Sequence, residues 1–312
     1  MEHYAARARR HASTGRRHER NMMTRGDRAQ MIGTDVMALL CGLGSAAAWG
    51  AGDFSGGMAT KRNDVFMVVM FSQVAGTIPL VVCALLWGGA LPPLKHLLLG
   101  AVGGLFGMVG LLALYRGLSL GRMGVVAPVT SVAAAVVPML LGSIWDGLPA
   151  ALDMAGILVA LGAVWLLSRS EPGQPFSFDD LGLPILAGTA FGLYFVFIDL
   201  AAVEVVLWPL VAARLSSLAI LLFFLLAGGG RPLPDRHQWP LLLMAGMMDT
   251  AGNVFFALAT QIGRLDIAAV VSSFYPGTTA LLAWLILKER LNRTQWMGVS
   301  AALAALVLIA MP

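Results

Sequence analysis

The chain has 312 residues, 58% of them hydrophobic and 12% charged, with a formal net charge of +4 and a mean hydropathy of +0.79. A soluble domain carries about a quarter of its residues as charged side chains, so this composition excludes one and points to a chain embedded in lipid. The two cysteines, Cys41 and Cys83, both lie in apolar runs, which excludes a disulfide framework and a cysteine-based metal site.

Residues 1–35 form an Arg-rich tail, expected to be disordered because charge blocks of this kind stay solvated. From Arg7 to Arg28 it lacks interleaved aromatics and any recognisable binding motif, so no nucleic-acid partner is expected. The pairs Arg9-Arg10 and Arg16-Arg17 are not followed by an apolar stretch with a small-residue cleavage site, which argues against an export signal. Met22, Met23 and Met31 are further candidate starts.

Ten apolar segments follow, each near the roughly 20 residues that cross a bilayer as a helix. They are predicted at 36–57, 65–88, 97–118, 123–144, 150–168, 182–203, 205–228, 239–261, 265–287 and 294–311. The breaks between them are polar or proline-rich, among them Lys61-Arg62-Asn63-Asp64, Pro92-Pro93-Leu94-Lys95 and Lys288 to Arg293. Trp87, Trp145, Trp165, Trp208, Trp239 and Trp296 fall near predicted helix ends, where indole rings favour the membrane interface.

Shifting the second half onto the first by 142 residues superposes Gly104 on Gly246, Gly110 on Gly252, Gly121-Arg122 on Gly263-Arg264 and Gly156 on Gly298. The shift loosens to about 144 where Gly44-Ser45-Ala46 faces Gly188-Thr189-Ala190. The chain therefore reads as a first repeat at 36–169, a linker at 170–181 and a second repeat at 182–312. Each repeat holds an odd number of crossings, so the second enters the membrane inverted relative to the first. The expected fold is an all-α polytopic membrane protein of ten transmembrane helices in two inverted five-helix repeats, with a cavity between them.

The stretch Gly263 to Ile309 has Pro276 in its first apolar segment, Lys288-Glu289-Arg290-Leu291 after it and Gly298 in the next. It resembles the EamA domain of the drug/metabolite transporter superfamily. Leu39 to Leu167 is similar but carries Asp146-Gly147 where the second copy has Lys288-Glu289. The resemblance implies a ten-helix carrier of small metabolites or drugs, often an exporter. It also agrees with both termini in the cytoplasm, as the Arg-rich tail and an even number of crossings suggest. The short loops argue the other way, since Lys61, Arg62, Arg231, Lys288 and most other loop cations then lie outside. The expected location is the cell membrane, with a bacterial inner membrane favoured.

Charges inside the membrane cost about 2.5 to 3.5 kcal/mol each on insertion scales, so each needs a reason. Asp249 lies near the centre of the eighth segment with Asn253 one turn on, and Arg214 lies within the seventh at a similar depth. Two readings stand: a site in which Arg214 meets an anionic group and Asp249 carries a proton or an amine, or a permanent ion pair locking two helices. Asp53 and Asp199, near the ends of the first and sixth segments, are candidate gate residues or interfacial carboxylates. Trp49 and Tyr275 could stack on a substrate or pack in the core. Gln73, Thr130, Ser131, Ser272 and Ser273 are candidate cavity-lining residues. Pro138 and Pro276 are the candidate hinges. Glycines at four-residue spacing, such as Gly100 and Gly104 or Gly188 and Gly192, point to close helix contacts.

An enzyme is not expected. Gly117-Leu118-Ser119-Leu120-Gly121 fits the nucleophile-elbow pattern, but Ser119 ends a membrane segment and all five histidines lie in the tail or loops. No intramembrane His or Cys cluster and no phosphate-binding loop is present in the sequence, so no metal, nucleotide or other cofactor is expected. The reading is a secondary transporter working by alternating access, with a proton-linked exporter using Asp249 as the specific expectation. The alternative is a membrane-embedded scaffold without transport activity. The expected partners are a small-molecule substrate and the bilayer, with the chain a monomer or homodimer.

Overall fold

A computed structural model describes residues 25–87, 89–121, 123–146, 151–167, 179–202, 205–228, 230–262, 272, 274–288 and 292–310. Among them there is no strand, as the apolar patterning requires. The helices are α1 (Arg25–Thr60), α2 (Val65–Trp87), α3 (Leu94–Leu120), α4 (Met123–Asp146), α5 (Ala151–Leu167), α6 (Asp179–Ala201), α7 (Leu207–Ala227), α8 (Trp239–Ile262), α9 (Tyr275–Leu282) and α10 (Arg293–Ala310). Val36–Thr60 of α1, Leu181–Ala201 of α6, and the whole of α2, α3 and α7 are long and apolar enough to cross a membrane. Side chains such as Ile78, Leu85, Leu158, Phe223 and Leu226 lie exposed on the outside, a surface that suits lipid and not water.

Two expectations need correction. The tail assigned to 1–35 ends earlier, because α1 already begins at Arg25. No proline lies between Arg25 and Thr60 to stop the helix from extending beyond its apolar part. Pro276, expected to bend the middle of a helix, instead occupies the first turn of α9, where the missing N–H costs nothing. Pro138 lies along α4. Residues 263–271 and 273, including Ser273 and the start predicted for the ninth segment, lie outside the described residues. After α9 the chain widens into a π-turn, Ala283–Leu287, and stops at Lys288, whose φ of 56° is left-handed. Such a residue commonly ends a helix by breaking its hydrogen-bond ladder.

The packing carries the duplication into three dimensions. α1 packs along α8 and α3 along α6, α2 against α8 and α7 against α3, and α1 against α9 and α6 against α4. Each pairing becomes its partner when α1–α5 exchange with α6–α10. The pairs α2 with α7, α4 with α9 and α5 with α10 map onto themselves, as they must if they straddle a pseudo-two-fold axis. At the α5/α10 seam the fully buried Ala160 and Ala163 meet Ala302 and Ala305 in one cluster. These residues are related by the shift of 142.

Equivalent glycines make equivalent crossings. A methyl group on Gly104 would collide with the Ala213 carbonyl of α7, and one on Gly246 with the Ser72 carbonyl of α2. A methyl on Gly110 would meet the Phe191 ring of α6, and one on Gly252 the Trp49 ring of α1. In lipid such close backbone contact replaces the hydrophobic drive as the source of helix association. Thr130, Ser131 and Ser272, expected at a cavity, are instead buried in these interfaces. The Ser131 hydroxyl donates to the Pro128 carbonyl and that of Ser272 reaches the Gly42 carbonyl.

Two apolar clusters bracket the middle of the bundle. The larger draws on α1, α2, α3, α4 and α8 at the end where α1 finishes and α2 begins, with Phe54, Phe66, Tyr115, Leu118 and Met123 at its heart. The smaller, Leu80 and Ala84 with Leu210 and Val211, joins α2 to α7 at the opposite end. Polar loop contacts lie outside each cluster. Beyond the larger one, Arg231 pairs with Asp64 at 3.0 Å and the Asn63 side chain accepts from the Asp235 N–H at 2.9 Å. Beyond the smaller one, Trp208 Nε1 donates to the Gly89 carbonyl at 3.2 Å, and His96 Nδ1 lies 3.1 Å from the Ala201 carbonyl oxygen.

Candidate functional site

Between the two clusters lies a cavity of about 780 Å³, including the space at its mouth, walled by both repeats. α1 contributes Trp49 and Asp53, one turn apart on one face, and α2 contributes Gln73. α7 contributes Arg214 and Ser217, α8 Asp249 and Asn253, and α9 Tyr275. Trp49, Asp53, Gln73, Arg214, Asp249, Asn253 and Tyr275, all expected from sequence, therefore converge on one space. Asp199 does not: it is exposed near the end of α6 and is no part of the cavity wall.

The charges are arranged unequally. Arg214 Nη2 forms an ion pair with Asp249 Oδ2, while its Nη1 donates to Gln73 Oε1. Asn253 Nδ2 donates to the Asp249 backbone carbonyl at 2.8 Å and approaches Asp249 Oδ2 at 3.4 Å. The Ser217 hydroxyl bonds the Arg214 carbonyl at 2.9 Å, which holds it against its own helix. Arg214 is thus tied to α2 and α8 at once, and its guanidinium matches the charge of Asp249. Asp249, the expected proton carrier, is the carboxylate whose charge is already balanced. Asp53, by contrast, makes no hydrogen bond or ion pair with any described residue while lining the same cavity.

The remaining wall is aromatic. The Trp49 ring meets Tyr275 edge-on, with centroids 6.3 Å apart and planes at 82°, and leans on Phe256 at 5.8 Å. It is held there because Gly252 leaves room for it on α8. From α6 come Phe191, Tyr194 and Phe195, which the sequence reading did not single out. Their spacing of three and four residues places them along one side of α6, beside the stripe of Gly188 and Gly192, and was the signal that could have found them. Those glycines abut α4 at Ala133 and Val137, which fixes the rotation of α6 against α4 while the rings line the cavity. Chemically, the site offers one uncompensated carboxylate, a fixed ion pair, amide groups and several ring faces.

The profile of the EamA-like transporter family matches residues 36–169 and 181–311, the two repeats in turn. Among solved structures, a crystal structure described simply as that of a protein superposes on 87% of this chain and 95% of its own, with a TM-score of 0.60 and 17% identity. That likeness is one of fold. No curated protein matches the sequence.

Proposed function

The chain belongs to the EamA-like transporter family, a family of multi-pass membrane proteins that handle small molecules, and on that premise we propose that it is a secondary carrier working by alternating access. In this reading ten helices cross the membrane as inverted five-helix repeats, with both termini in the cytoplasm. Substrate occupies the central cavity, and the two apolar clusters serve as alternating seals. The observation that carries the reading is the cavity: it lies between the two apolar clusters, both repeats wall it, and it holds Arg214, Asp249 and Asp53. A scaffold would have no need to carry three charged side chains around an open space in lipid. The pseudo-two-fold packing supplies a means of switching, since the arrangement that seals one end has an equivalent at the other.

Ser217 offers the test, because it lines the cavity and lies between the two clusters. In a background with Cys41 and Cys83 replaced by Ala, Ser217→Cys should react with a membrane-impermeant maleimide in both right-side-out and inside-out vesicles. Labelling confined to one orientation would mark a one-sided pocket and overturn the carrier reading.

A further inference from the structure

We infer that Asp53 is the anchor for the ammonium group of a small organic amine with an apolar or aromatic body, and that a proton takes its place when the amine leaves. The inference rests on the carrier reading and adds the substrate class and the exchanging ion. Its basis is a charge imbalance in a shaped space. Asp249 and Asp53 face one cavity together with Arg214, and Arg214 is paired with Asp249. One carboxylate is left over. It has no hydrogen-bond donor or cation among the described residues, although it sits within a membrane bundle. A carboxylate in such surroundings needs a cation or a proton as its partner.

The surroundings narrow which cation. The groups facing Asp53 from the packed helices are Tyr115 of α3, Gln73 of α2, Asp249 of α8 and Tyr275 of α9, with Arg214 and Tyr194 farther round the cavity. Arg214 is the one cation among these groups, and its charge is matched by Asp249 while it also donates to Gln73. A zwitterion would leave its anionic end unmatched. An inorganic cation would need several oxygen ligands close together, yet no group of three or more His, Cys, Asp or Glu that could hold a metal stands among the described residues, and the ring of Trp49 lies one turn from Asp53, crossed by Tyr275. Ring faces beside a carboxylate suit an organic ammonium, which gains from the charge on one side and the π-electrons on the other. The rings Phe191, Tyr194 and Phe195 across the cavity would receive the apolar body. Since Asp53 can hold either the ammonium or a proton but not both, binding one expels the other, and this competition couples the two movements.

The test uses purified full-length protein in nanodiscs. Dicyclohexylcarbodiimide adds a protonated carboxyl across its C=N bond, and an O-to-N acyl shift then leaves a stable N-acylurea with the proton retained on nitrogen. Mass spectrometry should place the adduct on Asp53 and not on Asp249. Its formation should fall as pH rises. 2-Phenylethylamine should slow it about tenfold or more, while 2-phenylethanol and phenylalanine should not. Calorimetry in buffers of differing ionisation heat should register proton release on amine binding. Asp53→Asn should lose that binding, and Asp53→Glu should retain part of it, which separates loss of the anchor from loss of the fold.

An adduct on Asp249 alone would overturn the inference, as would amine binding that survives Asp53→Asn or the absence of protection by the amine. Equal protection by the alcohol would reduce the site to an apolar pocket, and stronger protection by phenylalanine would make it a zwitterion site; both overturn it too. In each case two-sided labelling of Ser217→Cys would leave the carrier reading standing. One-sided labelling would remove that reading whatever Asp53 does.

Discussion

Arg214 and Asp249 were legible in the sequence as charges at matching depth and as one candidate ion pair, but whether they face one another was not, because depth follows from chain position while facing follows from how each helix rotates when it packs. The structure turns them toward one another and adds Gln73 as a second acceptor for Arg214. Breaking a largely buried pair costs of the order of 3 kcal/mol, since it strands the remaining charge. Arg214→Ala and Asp249→Ala should each therefore lower the folded yield, read by fluorescence-detected size exclusion. Arg214→Asp combined with Asp249→Arg should recover much of that yield if the pair is structural. Recovered yield without recovered two-sided access at Ser217→Cys would assign the pair to the transport cycle, and intact yield in both single variants would deny it either role. Asp53 and Asp199 looked alike in sequence and part company for a simple geometric reason. The shift of 144 places Asp53 opposite Phe197 and Asp199 opposite Ser55. Two residues turn a helix by about 200°, which sends one carboxylate to the cavity and the other outward.

At the scale of elements, nearly every boundary could be read from apolar length and polar breaks, while the close contacts could not. The four-residue glycine spacing marked which faces approach something, but the partner helix emerged only with the packing. Gly104 and Gly246 give this a sharp form, because each lies against the backbone of the other repeat's second helix. Gly104→Leu and Gly246→Leu should each destabilise by about 1–3 kcal/mol or more through overpacking, and by similar amounts, since one crossing is the image of the other. Gly162 on α5 has no heavy atom within 4 Å of where a Cβ would stand. Gly162→Ala should be neutral or raise stability by up to about 1 kcal/mol through helix propensity. Thermal melts in one detergent would compare the three, and a large loss for Gly162→Ala with none for Gly104→Leu would reject the packing account.

For the whole molecule, the duplication was readable as a shift of 142, and its consequence is that the two ends of the bundle are built from equivalent loops yet closed by different chemistry. The α1–α2 and α7–α8 loops meet through Asp64 and Arg231, with the Arg231 guanidinium 4.5 Å over the Phe66 ring. Their counterparts, the α6–α7 and α2–α3 loops, meet through the Trp208 bond to Gly89 and the contact of His96 with Ala201. Among the described residues one clasp is held by an ion pair and the other by hydrogen bonds to backbone carbonyls, so the first should respond more strongly to salt and to loss of a charge. Exposed ion pairs contribute about 0–1 kcal/mol, and the ring contact adds about 0.5–1 kcal/mol. On the carrier reading, Arg231→Ala should therefore move the balance between the two open forms by no more than about thirtyfold, toward the form open at the Asp64 end. In vesicles of defined orientation, Ser217→Cys labelling from that side should quicken and labelling from the other should slow. High salt on the parent protein should produce a smaller shift of the same sign, because it screens the charge while leaving the guanidinium over its ring. A change of equal size and sign on both faces would mean that Arg231 only loosens the fold, and the asymmetry of the clasps would then have no part in the cycle.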